Sequence, residues 1–185
     1  MIFGIQFIKK LVLAATLVCL FSITQAQVEV AHLTSKGFNA TGFGGFLNLA
    51  IPIDDSNAGI VEGAVYVFSS DGSHAAVAPV MIGYRHLLSD GADYGFYVEP
   101  VAGYTFGATD IQAYDANGNA LSQPNGDQLD QKVAGPVGGL GFGYLFPESG
   151  AIRFNISLRY EHTFVTGGYP SLNIVALRIS HSFSF

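Results

Sequence analysis

Residues 152–164 alternate without a break. Ile152, Phe154, Ile156, Leu158, Tyr160, His162 and Phe164 take one set of positions, and Arg153, Asn155, Ser157, Arg159, Glu161 and Thr163 the other. A period of two puts each set on one face of a β-strand. The last segment repeats the pattern. Val175, Leu177, Ile179, His181, Phe183 and Phe185 oppose Ala176, Arg178, Ser180, Ser182 and Ser184. In 94–107, Phe96, Val98, Pro100, Ala102, Tyr104 and Phe106 oppose Tyr97, Glu99, Val101, Gly103 and Thr105. Followed along the chain, the alternation predicts eight strands, at 27–35, 44–53, 59–69, 75–88, 94–107, 132–146, 151–164 and 171–185. Turn-forming runs such as Asp54-Asp55-Ser56-Asn57, Ser70-Asp71-Gly72 and Pro147-Glu148-Ser149-Gly150 separate them. No segment carries a helical period with caps. The connections after segments two, four and six read as short. The one after segment five, 108–131, is long, and those after one and seven are looser. Only the short connection after segment three departs from an alternation of short turns and longer loops, the habit of a membrane barrel.

The first 26 residues follow another rule. Lys9 and Lys10 precede an apolar run from Leu11 to Ile23, and Thr24-Gln25-Ala26 ends on a small residue. This is the layout of a cleavable export signal, with Gln27 as the first mature residue and 27–185 as one domain. Thirteen or so apolar residues are too few for a spanning helix. The only Cys lies inside this segment. Without it the chain keeps six Lys and Arg against fourteen Asp and Glu, a net charge of −8.

Composition narrows the class. Charged residues are 12% of the chain, about half the usual share, beside 23 Gly, 15 Phe and 9 Tyr. The acidic balance excludes a nucleic-acid footprint. A lone Cys excludes a disulfide framework and a Cys-based zinc site.

Eight alternating strands fit two barrels. A soluble lipocalin-like carrier puts the apolar face inside, and a membrane barrel inverts it. The charges choose between them. All four Arg lie on strands, on the less apolar face, with four of the Glu. The expected lumen set is Glu29, Glu62, Arg85, Glu99, Arg153, Arg159, Glu161 and Arg178. Every Asp falls in a turn or loop, and the mature chain has only Lys36 and Lys132. A balanced Arg/Glu set suits a closed lumen, because an eight-stranded interior is just wide enough to be filled by side chains. Position along the strands divides the set into two neutral layers. Glu29, Glu62, Arg85 and Arg153 fall toward the short-turn end; Glu99, Arg159, Glu161 and Arg178 fall nearer mid-height or the loop end. Arg178 is then expected to pair with Glu161 or Glu99. Gly135, Gly139, Gly141 and Gly143 on the inward face of 132–146 leave room for Arg and Tyr of neighbouring strands. Aromatics gather near strand ends, with Tyr84, Tyr94, Phe96, Tyr144, Phe146, Phe183 and Phe185 on one side and Phe68, Tyr104, Phe106 and Phe164 on the other. Two such girdles bound the apolar band of a membrane barrel.

The export signal, eight strands, inward Arg/Glu set and C-terminal Phe185 resemble the small outer-membrane β-barrels of Gram-negative bacteria, the OmpA-like and OmpX-like proteins. The resemblance covers 27–185 and implies an eight-stranded antiparallel up-and-down transmembrane barrel. It implies residence in the outer membrane as a monomer among outer-membrane lipid and lipopolysaccharide. The last strand, LNIVALRISHSFSF, looks like the strand that the family's assembly machinery recognises, with Phe185 as the signal residue. The two-domain OmpA-like members add a peptidoglycan-binding domain, which has no counterpart in this sequence.

Catalysis needs a nucleophile beside a base. Some barrels of this class modify lipid A, but no His-x-Ser pair places the two on one strand face here. Ser180, His181 and Ser182 alternate sides. Asp115-x-Asn117-x-Asn119 opens like a calcium loop, but Ala120 stands where Gly is needed and no Glu follows. His32, His86, His162 and His181 fall on the apolar face near strand ends, the depth of a membrane interface, and sit on separate strands, which argues against a metal site. The sequence therefore predicts a non-enzymatic, cofactor-free membrane barrel with a structural or surface-interaction role. A narrow channel for small solutes and the soluble periplasmic carrier are the alternatives.

Overall fold

The computed structural model describes residues 27–70, 72–89, 94–110, 117, 119, 131–148, 152–165 and 171–183, without the side chains of Gln131, Ile152, Ser182 and Phe183. The expected export signal over 1–26, the terminal Phe185 and most of the loop 108–131 lie outside the described residues.

Eight strands form where the alternation places them: β1 Gln27–Ser35, β2 Phe38–Pro52, β3 Asn57–Ser70, β4 Ser73–Leu87, β5 Gly95–Thr109, β6 Gln131–Leu145, β7 Ile152–Thr163 and β8 Leu172–Phe183. Each pairs antiparallel with its sequence neighbour, and β1 pairs with β8 to close the barrel. The largest departure from the sequence reading is β2, which starts at Phe38 rather than 44. Ser35 pairs with Phe38, so Lys36 and Gly37 alone make the turn, with Gly37 at φ 77°. A left-handed backbone in a two-residue hairpin suits Gly. Gly72, at φ 81°, sits in the equally tight turn closed by the Ser70–Ser73 pair. One end of the barrel therefore mixes two tight turns with the two longer connections. The expected alternation of loop length holds only in part.

Pair registers fix the barrel geometry. Starting at Asn57 on β3, successive partners are His86, Val98, Phe142, Leu158, Leu177, Val30 and Phe43, and the circuit returns to β3 at Val67. The start and end of the circuit differ by ten residues, which is the shear for eight strands. With about 3.3 Å per residue and about 4.8 Å between strands, the strands tilt by about 41° around a radius of about 8 Å. Each step around the barrel then climbs about 3 Å along its axis.

This row faces outward and reads as a membrane profile. Val98 through Phe43 and Val67 to Ala76 and Ala108 is apolar throughout, about 25 Å of height. Asn57 and His86 lie below it and Lys132 above it. About 25 Å is the height of the apolar band on outer-membrane barrels. Most of its large side chains are exposed, with Phe43 at 73% and Val67 at 58%. A belt of this kind around the whole circumference demands lipid, because soluble proteins rarely expose large contiguous apolar patches. The soluble carrier falls on this point, since its charges would have to face out.

The interior has three tiers. Leu33, Phe38, Phe68, Val77, Val133, Leu172 and Ile174 form an apolar plug toward the mixed-loop end. Phe68 was expected in the outer girdle. It is instead buried in this plug, stacked on Tyr66 with ring centroids 6.0 Å apart, because even-numbered positions of β3 face in. The charged residues occupy mid-height. A polar hollow of about 180 Å³ opens toward the chain-terminus end, among Asn48, Arg85, Arg153, Asn155 and Ser180.

Candidate functional site

The distinguishing feature of the lumen is a chain of alternating charges from six strands. Arg178 donates from Nε to Glu29 Oε2 at 2.7 Å, and from Nη2 and Nη1 to the two oxygens of Glu62 at 2.8 and 3.0 Å. Arg159 Nη2 lies 3.5 Å from Glu62 Oε2 and donates to Glu99 Oε1. Arg85 ends the chain, with Nε donating to Glu99 Oε2 at 2.6 Å. The order is Glu29, Arg178, Glu62, Arg159, Glu99, Arg85, three carboxylates and three guanidinium groups. Five of the six are almost completely buried; only Arg85, at the edge of the terminus-side hollow, is partly exposed. Buried charges need this degree of pairing to be tolerated.

Neighbouring side chains complete the chain. Asn48 Nδ2 donates to Glu62 Oε2 at 3.0 Å. The Arg178 guanidinium lies 4.0 Å from the centroid of Phe46 and that of Arg85 lies 4.5 Å from Tyr97, cation–π contacts at the two ends. Inward glycines give the room. A Cβ on Gly141 would sit 3.0 Å from Arg159 Nε, and one on Gly143 would sit 2.6 Å from the Tyr97 hydroxyl. Sequence reading had no means of finding Phe46, Asn48, Tyr66 or Tyr97, since nothing in a strand pattern tells which inward residue meets which.

The two expected layers do not exist. Glu29 and Glu62 from one group bind Arg178 from the other, and Glu62 lies within ion-pair distance of Arg159. Strand tilt is the reason. At about 41°, Glu62, Arg178, Arg159 and Glu29 fall within about 4 Å of the same height, although they sit at different distances from their strand ends. Arg178 pairs with Glu29 and Glu62, not with Glu161 or Glu99 as expected. Arg153 stands apart from the other seven; at the terminus-side rim its Nη2 lies 3.4 Å from Glu148 Oε2. Glu161 is in the lumen, 1% exposed, but no Arg lies within ion-pair distance of it among the described residues. Its Oε1 meets the hydroxyl of Tyr66 at 3.2 Å.

The exterior repeats one polar cluster on two strand pairs. On β3 and β4, Asn57 Oδ1 accepts from the Tyr84 hydroxyl and faces His86 Nδ1 at 2.8 Å. On β7 and β8, Asn173 Oδ1 accepts from the Tyr160 hydroxyl at 2.9 Å and faces His162 Nδ1 at 2.8 Å. A Tyr-x-His strand beside an Asn supplies its own hydrogen bonds, which makes these polar side chains tolerable on the outward face. The first cluster ends on Asp54, which takes hydrogen bonds from Ser56 N–H and the Asn57 amide. Those bonds hold the Asp54 carboxyl below its ordinary range. On β1 and β2, His32 Nδ1 meets Thr41 Oγ1 at 3.0 Å. This hydroxyl–imidazole pair crosses strands, so a search along single strands passes over it. Among the described residues, no carboxylate orients its imidazole.

No protein-family model and no curated protein sequence matches the chain. Solved structures do. Neisserial surface protein A superposes with a TM-score of 0.68 at 12% identity, over 87% of this chain and 95% of that one. The fold is that of the small eight-stranded outer-membrane barrels. Ail, the attachment invasion locus protein of Yersinia pestis, matches at a TM-score of 0.55 and 12% identity, over 87% and 95% of the two chains. The outer membrane enzyme PagL matches at 0.50 and 11%, over 84% and 97%. A small barrel of this kind therefore serves in an enzyme and in an attachment protein, and the fold alone does not choose between them.

Proposed function

We propose that this chain is a monomeric, non-enzymatic barrel of the outer membrane, with a structural or surface-interaction role among outer-membrane lipid and lipopolysaccharide. The observation that carries this reading is the inversion of the barrel, with a lipid-height apolar exterior around a lumen filled by paired charges. A lumen spent on ion pairs and an apolar plug supports a rigid scaffold that displays its end loops. The same filled lumen speaks against the narrow channel. The test is cell fractionation with a heat-modifiability gel, followed by recording in a planar bilayer. The protein is expected in the outer-membrane fraction, with faster migration when unheated and no steady ion current. A soluble fraction, or a reproducible single-channel step, overturns the respective part.

Assembly supplies a second expectation. The last strand closes the barrel against β1, and its terminal aromatic residue matches the family's assembly signal. Phe185→Lys is expected to reduce the outer-membrane level several-fold and to leave protein in the periplasm. Normal membrane levels of that variant, measured by quantitative blotting, count against Phe185 as the signal.

A further inference from the structure

Four carboxylates meet three guanidinium groups at the centre of the lumen, and Glu161 is the acid left over. Tyr66 bridges the surplus. Its hydroxyl oxygen lies 3.2 Å from Glu29 Oε2 and 3.2 Å from Glu161 Oε1. A phenol has one hydrogen to donate, so it serves one of the two carboxylates at a time. The second contact is then an oxygen facing an oxygen, which is repulsive unless a further hydrogen lies between them. The remaining oxygens of the pair, Glu29 Oε1 and Glu161 Oε2, are buried and have no hydrogen-bond partner among the described residues. Glu29 is 3% exposed and Glu161 1%. An acceptor left in this condition is costly when neutral and far more costly when charged.

We infer that the Glu29–Tyr66–Glu161 bridge is a proton-binding site: it holds one proton beyond that of the phenol. The order follows from the partners. Glu29 accepts from Arg178 Nε at 2.7 Å and stays the anion of that ion pair. Glu161 has no such partner and carries the added proton, donating it to the phenol oxygen while the phenol donates to Glu29. The groups facing Glu161 are Arg159 on its own strand, Arg178 on β8, Glu62 and Tyr66 on β3 and Glu29 on β1. Arg159 makes no ion pair with it: its Nη2 is turned to Glu99 and Glu62, while its Nε and Nη1 are buried without a hydrogen-bond partner among the described residues. With one proton added, four carboxyl groups carry three negative charges against three guanidinium charges, and the central lumen is neutral. A neutral lumen at the middle of a membrane avoids the several kcal/mol that an unpaired buried charge costs.

The measurement is infrared difference spectroscopy of the folded, detergent-solubilised protein in neutral buffer, exchanged between H2O and D2O. A carbonyl band of a protonated carboxyl is expected in the wild type, shifted by deuteration. Glu161→Gln is expected to remove the band, and Tyr66→Phe to keep it at a different frequency because its hydrogen-bond partner is gone. Heat-modifiable migration identifies folded samples. If Glu161→Gln does not fold, Glu29→Gln replaces it; three carboxyl groups then face three guanidinium groups, so the band is expected to be lost, and its retention overturns the inference. No exchangeable carboxyl band in the folded wild type overturns the inference. A wild type without the band whose melting point rises with Na+ but not with a bulky organic cation reassigns the site to a metal cation and equally overturns it.

Discussion

Arg178→Met is expected to lower the free energy of unfolding in detergent or lipid by about 3–5 kcal/mol, the usual cost of removing one member of a buried ion pair. Met fills most of the space and keeps the contact with Phe46, so the loss is mainly electrostatic. The change leaves Glu29 without its only cation and Glu62 with Arg159 alone, at 3.5 Å. Glu29→Gln in the same protein is expected to recover part of the loss, since it removes the carboxylate left without a cation. Glu161→Gln and Glu99→Gln are not expected to do so, because neither residue touches Arg178. Equilibrium unfolding of the wild type, the four single variants and the three doubles forms three cycles that share Arg178→Met. A neutral Arg178→Met, or recovery by Glu99→Gln in place of Glu29→Gln, contradicts the observed order of charges.

The membership of the lumen was legible in the sequence, while its pairing was not. Alternation assigns Glu99, Arg159 and Arg178 to the inward face because a strand's side chains change sides at every residue, whatever lies next to them. Pairing depends on the shear, a property of the closed barrel. Each strand step shifts the level by 1.25 residues when eight strands share a shear of ten. Glu62 lies five residues inside its strand and Arg178 six, yet neither count tells that they meet. The shear is set by the turns, and the turn that misled most was Lys36-Gly37. Of the glycines at 42, 44 and 45, Gly42 falls in the expected loop, but all three lie in β2. A Cβ on Gly44 would be 2.8 Å from the Tyr66 ring and 2.9 Å from Glu29 Oε1, so this glycine is there for the bridge and not for a turn.

The exterior shows the same division. The apolar face of each strand follows from its pattern, and so do the outward histidines. Their partners come from across the strand pair, as Asn57 for His86 and Asn173 for His162, and a single strand does not contain them. Arg153 was legible as an inward residue toward the short-turn end, but its contact with Glu148, which lies outside the strands, was not.

Gly138 and Gly139 on β6 test inside against outside within one dipeptide. A Cβ on Gly138 meets nothing within 4 Å, because it points to lipid. A Cβ on Gly139 would sit 2.5 Å from the Tyr160 carbonyl oxygen, 3.0 Å from Val101 Cγ2 and 3.3 Å from Glu161 Cγ. The first of these is backbone of the paired strand, so relief requires β6 and β7 to move apart. Overpacking a core costs about 1–3 kcal/mol, and Gly139→Val is expected at about 3 kcal/mol because the blocking atom is not a flexible side-chain end. Gly138→Val adds an apolar, β-branched side chain to the lipid face and is expected to change stability by less than about 0.5 kcal/mol. Gly138→Lys separates lipid from water as the outer solvent. In water an exposed Lys is tolerated, whereas within the apolar band it costs about 2–4 kcal/mol near the midplane. Refolding yield and urea midpoint in lipid vesicles measure all three. A tolerated Gly139→Val beside a damaging Gly138→Val requires the faces to be reversed, and a tolerated Gly138→Lys requires water around the barrel.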